Sequence, residues 1–182
     1  MQTDRPVAIL LHMNAAARHM ISTLGLIPLP KEGGFYRSTW TSAVKGPDGR
    51  ALGSAILFLM TEDGFSALHR LGMDEIWHFH AGDPAELTRL DPRTGSGRAI
   101  VMGPDIAGGH APHAVVPAGE WQGARISPGI RRPLGWALFG CTVSPAWDER
   151  EFELGSPEAL TRDFPKHSKA IRALTRRPAA GG

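Results

Sequence analysis

Residues 65–84 read Phe65-Ser66-Ala67-Leu68-His69-Arg70-Leu71-Gly72-Met73-Asp74-Glu75-Ile76-Trp77-His78-Phe79-His80-Ala81-Gly82-Asp83-Pro84. Two apolar-rich runs, 65–69 and 75–81, flank a five-residue connection that contains Gly72. Short runs of this kind, punctuated by glycine and proline, read as strands, and the link between them reads as a hairpin. With His69 opposite Glu75 the two side chains share a face, because opposed residues of antiparallel strands point the same way. Ala67 then faces Trp77, and Phe65 faces Phe79. The stretch therefore predicts an imidazole and a carboxylate side by side on an aromatic floor. In a dry pocket the carboxylate favours the imidazolium and holds the ring in one tautomer, which suits proton transfer near neutral pH; at the surface the same residues would form an ordinary ion pair. Strict alternation puts His78 and His80 on the other face, where they could grip a metal or mark an outer or subunit surface.

The same texture extends outward. Strands are predicted at 34–41, 54–61, 65–69, 75–81, 85–90, 98–102, 113–116, 120–126 and 135–143. Turn sequences such as Gly46-Pro47-Asp48-Gly49, Glu62-Asp63-Gly64 and Pro117-Ala118-Gly119 separate them, supplying the restricted or permissive φ values that tight reversals need. So many short strands call for an all-β sandwich, jelly roll or barrel, since only closure or double layering protects their edges. Before them, Asn14 caps a predicted short helix in which Ala17, Met20, Ile21 and Leu24 recur at helical spacing until Gly25 stops it. After them, Ser156-Pro157-Glu158 opens a second short helix that ends by Pro165. The organisation expected is a loose extension over 1–13, one domain over 14–165 and a basic flexible tail over 166–182.

Twenty Lys and Arg against eighteen Asp and Glu leave a formal charge of +2, too small a surplus to indicate nucleic acid as a partner. No run approaches the ~20 apolar residues that span a bilayer. The apolar run at 7–11 is shorter than a signal-peptide core, so no membrane partner and a cytoplasmic location are expected. The single cysteine, Cys141, has no internal disulfide partner and sits in a strand-like run as an inert, buried thiol.

Five segments resemble, in this order, the DUF985 branch of the cupin superfamily. They are Glu32-Gly33-Gly34-Phe35-Tyr36-Arg37-Ser38-Thr39-Trp40, Ser66-Ala67-Leu68-His69-Arg70, residues 74–84, residues 115–125 (which include Pro117-Ala118-Gly119-Glu120-Trp121-Gln122) and Gly140-Cys141-Thr142-Val143. The resemblance covers residues 24–164. It implies a cupin double-stranded β-helix, a jelly-roll barrel with an internal pocket for a small-molecule ligand, and a homodimer. The general cupin metal pattern sets two histidines and a glutamate on one hairpin and a later histidine after a Pro-x-Gly turn. Here His69 resembles the second histidine, one residue further from Glu75 than is common, and Gly82 the closing glycine. Ala67 stands where the first histidine would be, and Gln122 stands at the last ligand position. No cofactor is firmly implied; a divalent metal, if held at all, would be held weakly by His69, Glu75 and Gln122.

Three functions follow from the resemblance and the residues. In the first, an isomerase or sugar epimerase uses His69 as base with Glu75 holding it. Such enzymes commonly take their acid from a tyrosine late in the chain, whereas the only tyrosine here is Tyr36. Tyr36 and Arg37 are candidate ligand-binding residues, and Arg37 could bind an anionic group of the ligand. In the second, a non-catalytic binding module uses Trp77, Phe79 and Trp121 for apolar contact, with Gln122 and Glu75 fixing orientation; each aromatic could equally be core packing. The third, a metal-dependent oxygenase, is disfavoured by Ala67 and Gln122.

Overall fold

The computed structural model describes residues 13–131 and 133–176. Its first element, α1 (Ala15–Leu24), begins where the Asn14 side chain accepts the Ala16 N–H at 2.8 Å. It ends at Gly25, whose φ of 62° is the left-handed conformation that closes a helix. Eleven strands follow among the described residues: β1 (Ile27–Pro28), β2 (Phe35–Thr41), β3 (Ser54–Thr61), β4 (Ser66–Leu71), β5 (Asp74–Gly82), β6 (Ala85–Asp91), β7 (Ser96–Met102), β8 (His113–Val116), β9 (Trp121–Ile126), β10 (Trp136–Ser144) and β11 (Phe152–Leu154). Two short helices, α2 (Pro157–Asp163) and α3 (Ser168–Leu174), complete the described chain. No helix among the described residues is long and apolar enough to cross a membrane.

The strands form two antiparallel sheets, one of six in the order β1-β2-β3-β10-β5-β8 and one of five in the order β11-β4-β9-β6-β7. This is the all-β, jelly-roll arrangement expected, with both short helices in place. Alternate residues of the facing strands fill the space between the sheets. Phe58, Met60, Trp77, Leu87, Met102 and Phe139 are buried there in one cluster. The outer faces are partly covered. α1 places Ala17 and Ile21 against Phe35, Leu59 and Leu138 of the six-stranded sheet. On the five-stranded sheet, Leu160 of α2 and Ile171 and Leu174 of α3 pack on Leu68, Leu90 and Trp121.

Two expectations are corrected here. Residues 166–174 are not part of a flexible tail. The basic residues there occupy one side of a helical segment, while Ile171 and Leu174 on the other are buried against the sheet, and that apolar burial offsets part of the entropy cost of ordering the segment. Residues 177–182 of the expected tail, and 1–12 of the expected N-terminal extension, lie outside the described residues. Ile171→Val is expected to cost about 1 kcal/mol in urea unfolding, whereas the same change in an unpacked tail would leave the midpoint where it was.

The second correction concerns the hairpin. β4 and β5 do not pair: β4 bonds to β9 and β11, and β5 bonds to β8 and β10, so the short link carries the chain from one sheet to the other. Met73, buried with Leu71 and Val143, pins the crossing. The Ala67–Trp77 and Phe65–Phe79 pairings fail with it. Phe65 instead packs against the cluster beneath α2 and α3.

Candidate active site in the barrel interior

His69 and Glu75 nevertheless both point into the space between the sheets, from facing walls. His69 is 2% exposed, Glu75 7% and Gln122 1%. On the five-stranded sheet His69 pairs with Gln122, and Gln122 with Arg89, so three polar side chains form a row across β4, β9 and β6. Ser66 belongs to the same wall. Residues three apart on a regular strand face opposite ways, but the register of β4 against β9 shifts between Ser66 and His69, which turns both inward.

A chain of hydrogen bonds ties the two walls together. The Trp77 indole N–H donates to Gln122 Oε1 at 2.9 Å, and Gln122 Nε2 donates to Glu75 Oε2 at 2.5 Å. One neutral amide thus satisfies both a buried donor and a buried carboxyl. Burial pushes the Glu75 carboxyl up to about 7, and the nearby charge of Glu32 acts in the same direction; His69 and the hydrogen bonds from Gln122 and Trp77 oppose them. The Glu75 carboxyl therefore keeps its proton to a much higher pH than an ordinary glutamate does.

His69 Nδ1 lies 2.8 Å from the Ala67 carbonyl oxygen. A carbonyl can only accept, so Nδ1 carries the hydrogen, and Nε2 is the nitrogen free to take or give a proton. The Phe152 ring stacks on the imidazole at 5.4 Å and 22°. Nε2 is 3.9 Å from Glu32 Oε2. Glu32, unassigned by the sequence reading, lies in the loop before β2, where Lys31, Gly33 and Gly34 all have positive φ. A Cβ on Gly33 would meet the Phe65 carbonyl oxygen at 2.7 Å, and one on Gly34 the Phe58 ring at 2.7 Å. The Glu-Gly-Gly run was the available signal: only glycines let the loop press this closely on the barrel and carry the carboxylate in.

The remaining expected residues divide. Trp77 is buried, meeting Phe58 and Phe139 edge-on, and half-buried Phe79 meets Phe139 in the same way. Both contribute to the core as well as to the site wall. Tyr36 is half-buried against the interior cluster. Arg37 does not join it: as Tyr36's neighbour on β2 it points to the outer face, where it is exposed beside the end of α1. Trp121 lies on the outer side of its sheet, with the Arg70 guanidinium 4.8 Å from its ring centre. Arg89 is tied to Glu120 by bonds of 2.6 and 3.0 Å. Cys141 is buried, and burial followed by the charges of Glu75 and Glu32 pushes its thiol well up, away from nucleophilic use.

The residues present do not fit a resident metal ion. Ala67 offers no donor, the Gln122 oxygen is already engaged by the indole, and among the described residues no three His, Cys, Asp or Glu side chains converge as a ligand set. His78 and His80 lie on the other side of β5 from Glu75; partial burial and then neighbouring His80 and His113 hold the His78 imidazole below its ordinary value. Two surface cavities lie away from the interior cluster. One of about 320 Å³ borders Arg70, Trp121, Leu160 and Phe164, and one of about 460 Å³ borders Phe65, Arg125, Pro133 and Ala173.

Two facing antiparallel sheets closed around a buried imidazole, carboxyl and amide define a cupin-type barrel. The chain belongs to the DUF985 family of the cupin superfamily, whose sequence model matches residues 18–155. It is similar to protein SO0799 from Shewanella oneidensis, at 36% identity over 89% of this chain and 98% of that one, with a TM-score of 0.80. It is also similar to a hypothetical protein from Leishmania major, at 32% identity over 88% and 99%, with a TM-score of 0.79. Oxalate decarboxylase from Bacillus subtilis shares the fold at 13% identity, over 86% of this chain and 41% of that one, with a TM-score of 0.52. Among curated proteins no sequence matches.

Proposed function

We propose that the protein binds a small molecule inside the barrel and acts on it as an isomerase or epimerase, with His69 as base and Glu75 as its acidic partner. The observation that carries this is geometric: His69 and Glu75, both buried, point into the interior from facing sheets, His69 with its Nε2 free and Glu75 with a carboxyl pushed up by burial. Moving a proton off and back onto a carbon next to a carbonyl needs both a base and an acid at one pH. The two groups come from facing sheets, so a ligand held between them would meet one on each side. That supplies a second proton-handling group in place of the late tyrosine that such enzymes commonly use, a residue type this sequence has only at Tyr36. Arg89 on this wall is already engaged by Glu120, so an uncharged or hydroxyl-rich reacting group suits the site better than an anion.

A second reading, a non-catalytic binding module, is favoured by two cavities that lie outside the His69–Glu75 cluster, one of them bordered by Trp121. Native mass spectrometry of the protein as purified is expected to identify a retained ligand. Incubated in D2O with it, the enzyme is expected to incorporate solvent deuterium into the ligand, and His69→Ala to reduce that by at least ~100-fold, the usual worth of a general base. Ligand binding retained in His69→Ala, with no exchange in either protein, would instead establish the module. The homodimer remains part of this proposal, and sedimentation of the 19.6 kDa chain tests it.

A further inference from the structure

Glu32 is a carboxylate at the cluster that the isomerase reading does not use. Several contacts fix it there, among them the Arg176 guanidinium, which donates to the Glu32 carbonyl at 3.4 Å. Ser66, turned inward by the β4 irregularity, donates its hydroxyl to Glu32 Oε1 at 2.7 Å. The Ala67 N–H donates to the Glu32 carbonyl at 2.9 Å. The other carboxylate oxygen, Oε2, lies 3.9 Å from His69 Nε2. The main chain that delivers it adopts three positive φ values within four residues, Lys31 included, although lysine disfavours that region. A surface carboxylate needs none of this.

We propose that Glu32 is the second carboxylate of the interior site, a positioning residue anchored by Ser66 that orients the His69 imidazole and sets a like charge beside Glu75. It deepens the isomerase reading and rests on it. The arrangement divides labour between two carboxyls. Glu32 faces the free nitrogen of His69 and stabilises it when it takes a proton. Its negative charge also makes ionising Glu75 harder, so Glu75 keeps its proton to higher pH. Around Glu75 the groups are His69 from β4, Glu32 from the loop, Gln122 from β9, Trp77 on its own strand and Cys141 from β10. His69 is the only one of these that can become a cation.

The test is a carboxyl ¹³C NMR titration of the full chain from pH 4 to 9, in the wild type and in Glu32→Gln. Glutamine keeps an oxygen for the Ser66 hydroxyl, so a purely structural role would leave the titration of Glu75 alone. The expected result is a downward move of the Glu75 midpoint by on the order of 1 pH unit, the scale on which a close charge acts. An unmoved midpoint in folded Glu32→Gln overturns the inference. A second measurement needs no variant: the wild-type Glu32 carboxyl resonance should inflect at the Glu75 midpoint, as coupled sites do, and a curve without that inflection also overturns it. If wild-type Glu75 itself titrates like a carboxyl in water, the acid–base reading of the interior fails, and this inference with it.

Discussion

Replacing Glu75 with glutamine is expected to stabilise the protein at pH 8 by about 3 kcal/mol and to change little at pH 4. The Glu75 carboxyl goes from 4.5, its ordinary value, to about 7 in the fold. Between those values the unfolded chain has released the proton while the folded one retains it, so unfolding is progressively favoured as pH rises. The contribution is fully present below about 4.5, where both states are protonated. It is lost as pH passes through 7, above which a bare carboxylate is held in the interior. Glutamine resembles the protonated acid in shape and still accepts the Gln122 amide. The difference between variant and wild type, taken from urea unfolding at each pH, cancels every other titrating group. A difference that stays flat from pH 4 to 8 would show that Glu75 is not the buried, proton-retaining carboxyl described. Stabilisation by removing a charged group is also what a functional site predicts, since such sites keep groups that the fold alone would discard.

Gln122→Leu is expected to act in the opposite direction, costing about 2–5 kcal/mol. Leucine fills similar space, so little of that cost comes from a cavity. It comes from two polar groups left without partners, the Trp77 indole N–H and the Glu75 carboxyl. The Gln122 hydrogen bond favours the ionised form of Glu75, so the loss should be larger at pH 8 than at pH 5. Adding Glu75→Leu to Gln122→Leu removes one orphan and is expected to recover part of the loss. A Gln122→Leu protein that melts with the wild type at both pH values would mean the amide bridges nothing.

Much of the architecture was legible along the chain. The strand at 54–61 and the strand at 113–116 match the observed elements end to end, as does the helix from the Asn14 cap to Gly25. These signals are local: alternation, caps and turn residues act within a few positions, and their free energy does not depend on what lies across the barrel. That Glu75 and Trp77 share one face of their strand and His78 takes the other followed from the period of two, whereas Gln122 was singled out by the family resemblance. α3 was missed because its basic residues dominate composition, while the sheet surface that buries Ile171 and Leu174 comes from β4, β6 and β9, far away in sequence.

The tertiary structure decided how the site is assembled. A link such as residues 70–74 can close a hairpin or cross between sheets at similar local cost. The choice was made by long-range pairing, with β10 taking one side of β5 and β9 one side of β4. Likewise no spacing in the sequence joins Glu32 to His69, or Gln122 to both Trp77 and Glu75; those contacts exist because two sheets face each other. The chain by itself determined which residues are strands, which faces are apolar and where the turns fall, since each depends on near neighbours. Only packing one sheet on the other could bring the imidazole, the carboxyls and the amide into a single dry space, and that desolvation is the largest of the effects that move the Glu75 proton towards neutral pH.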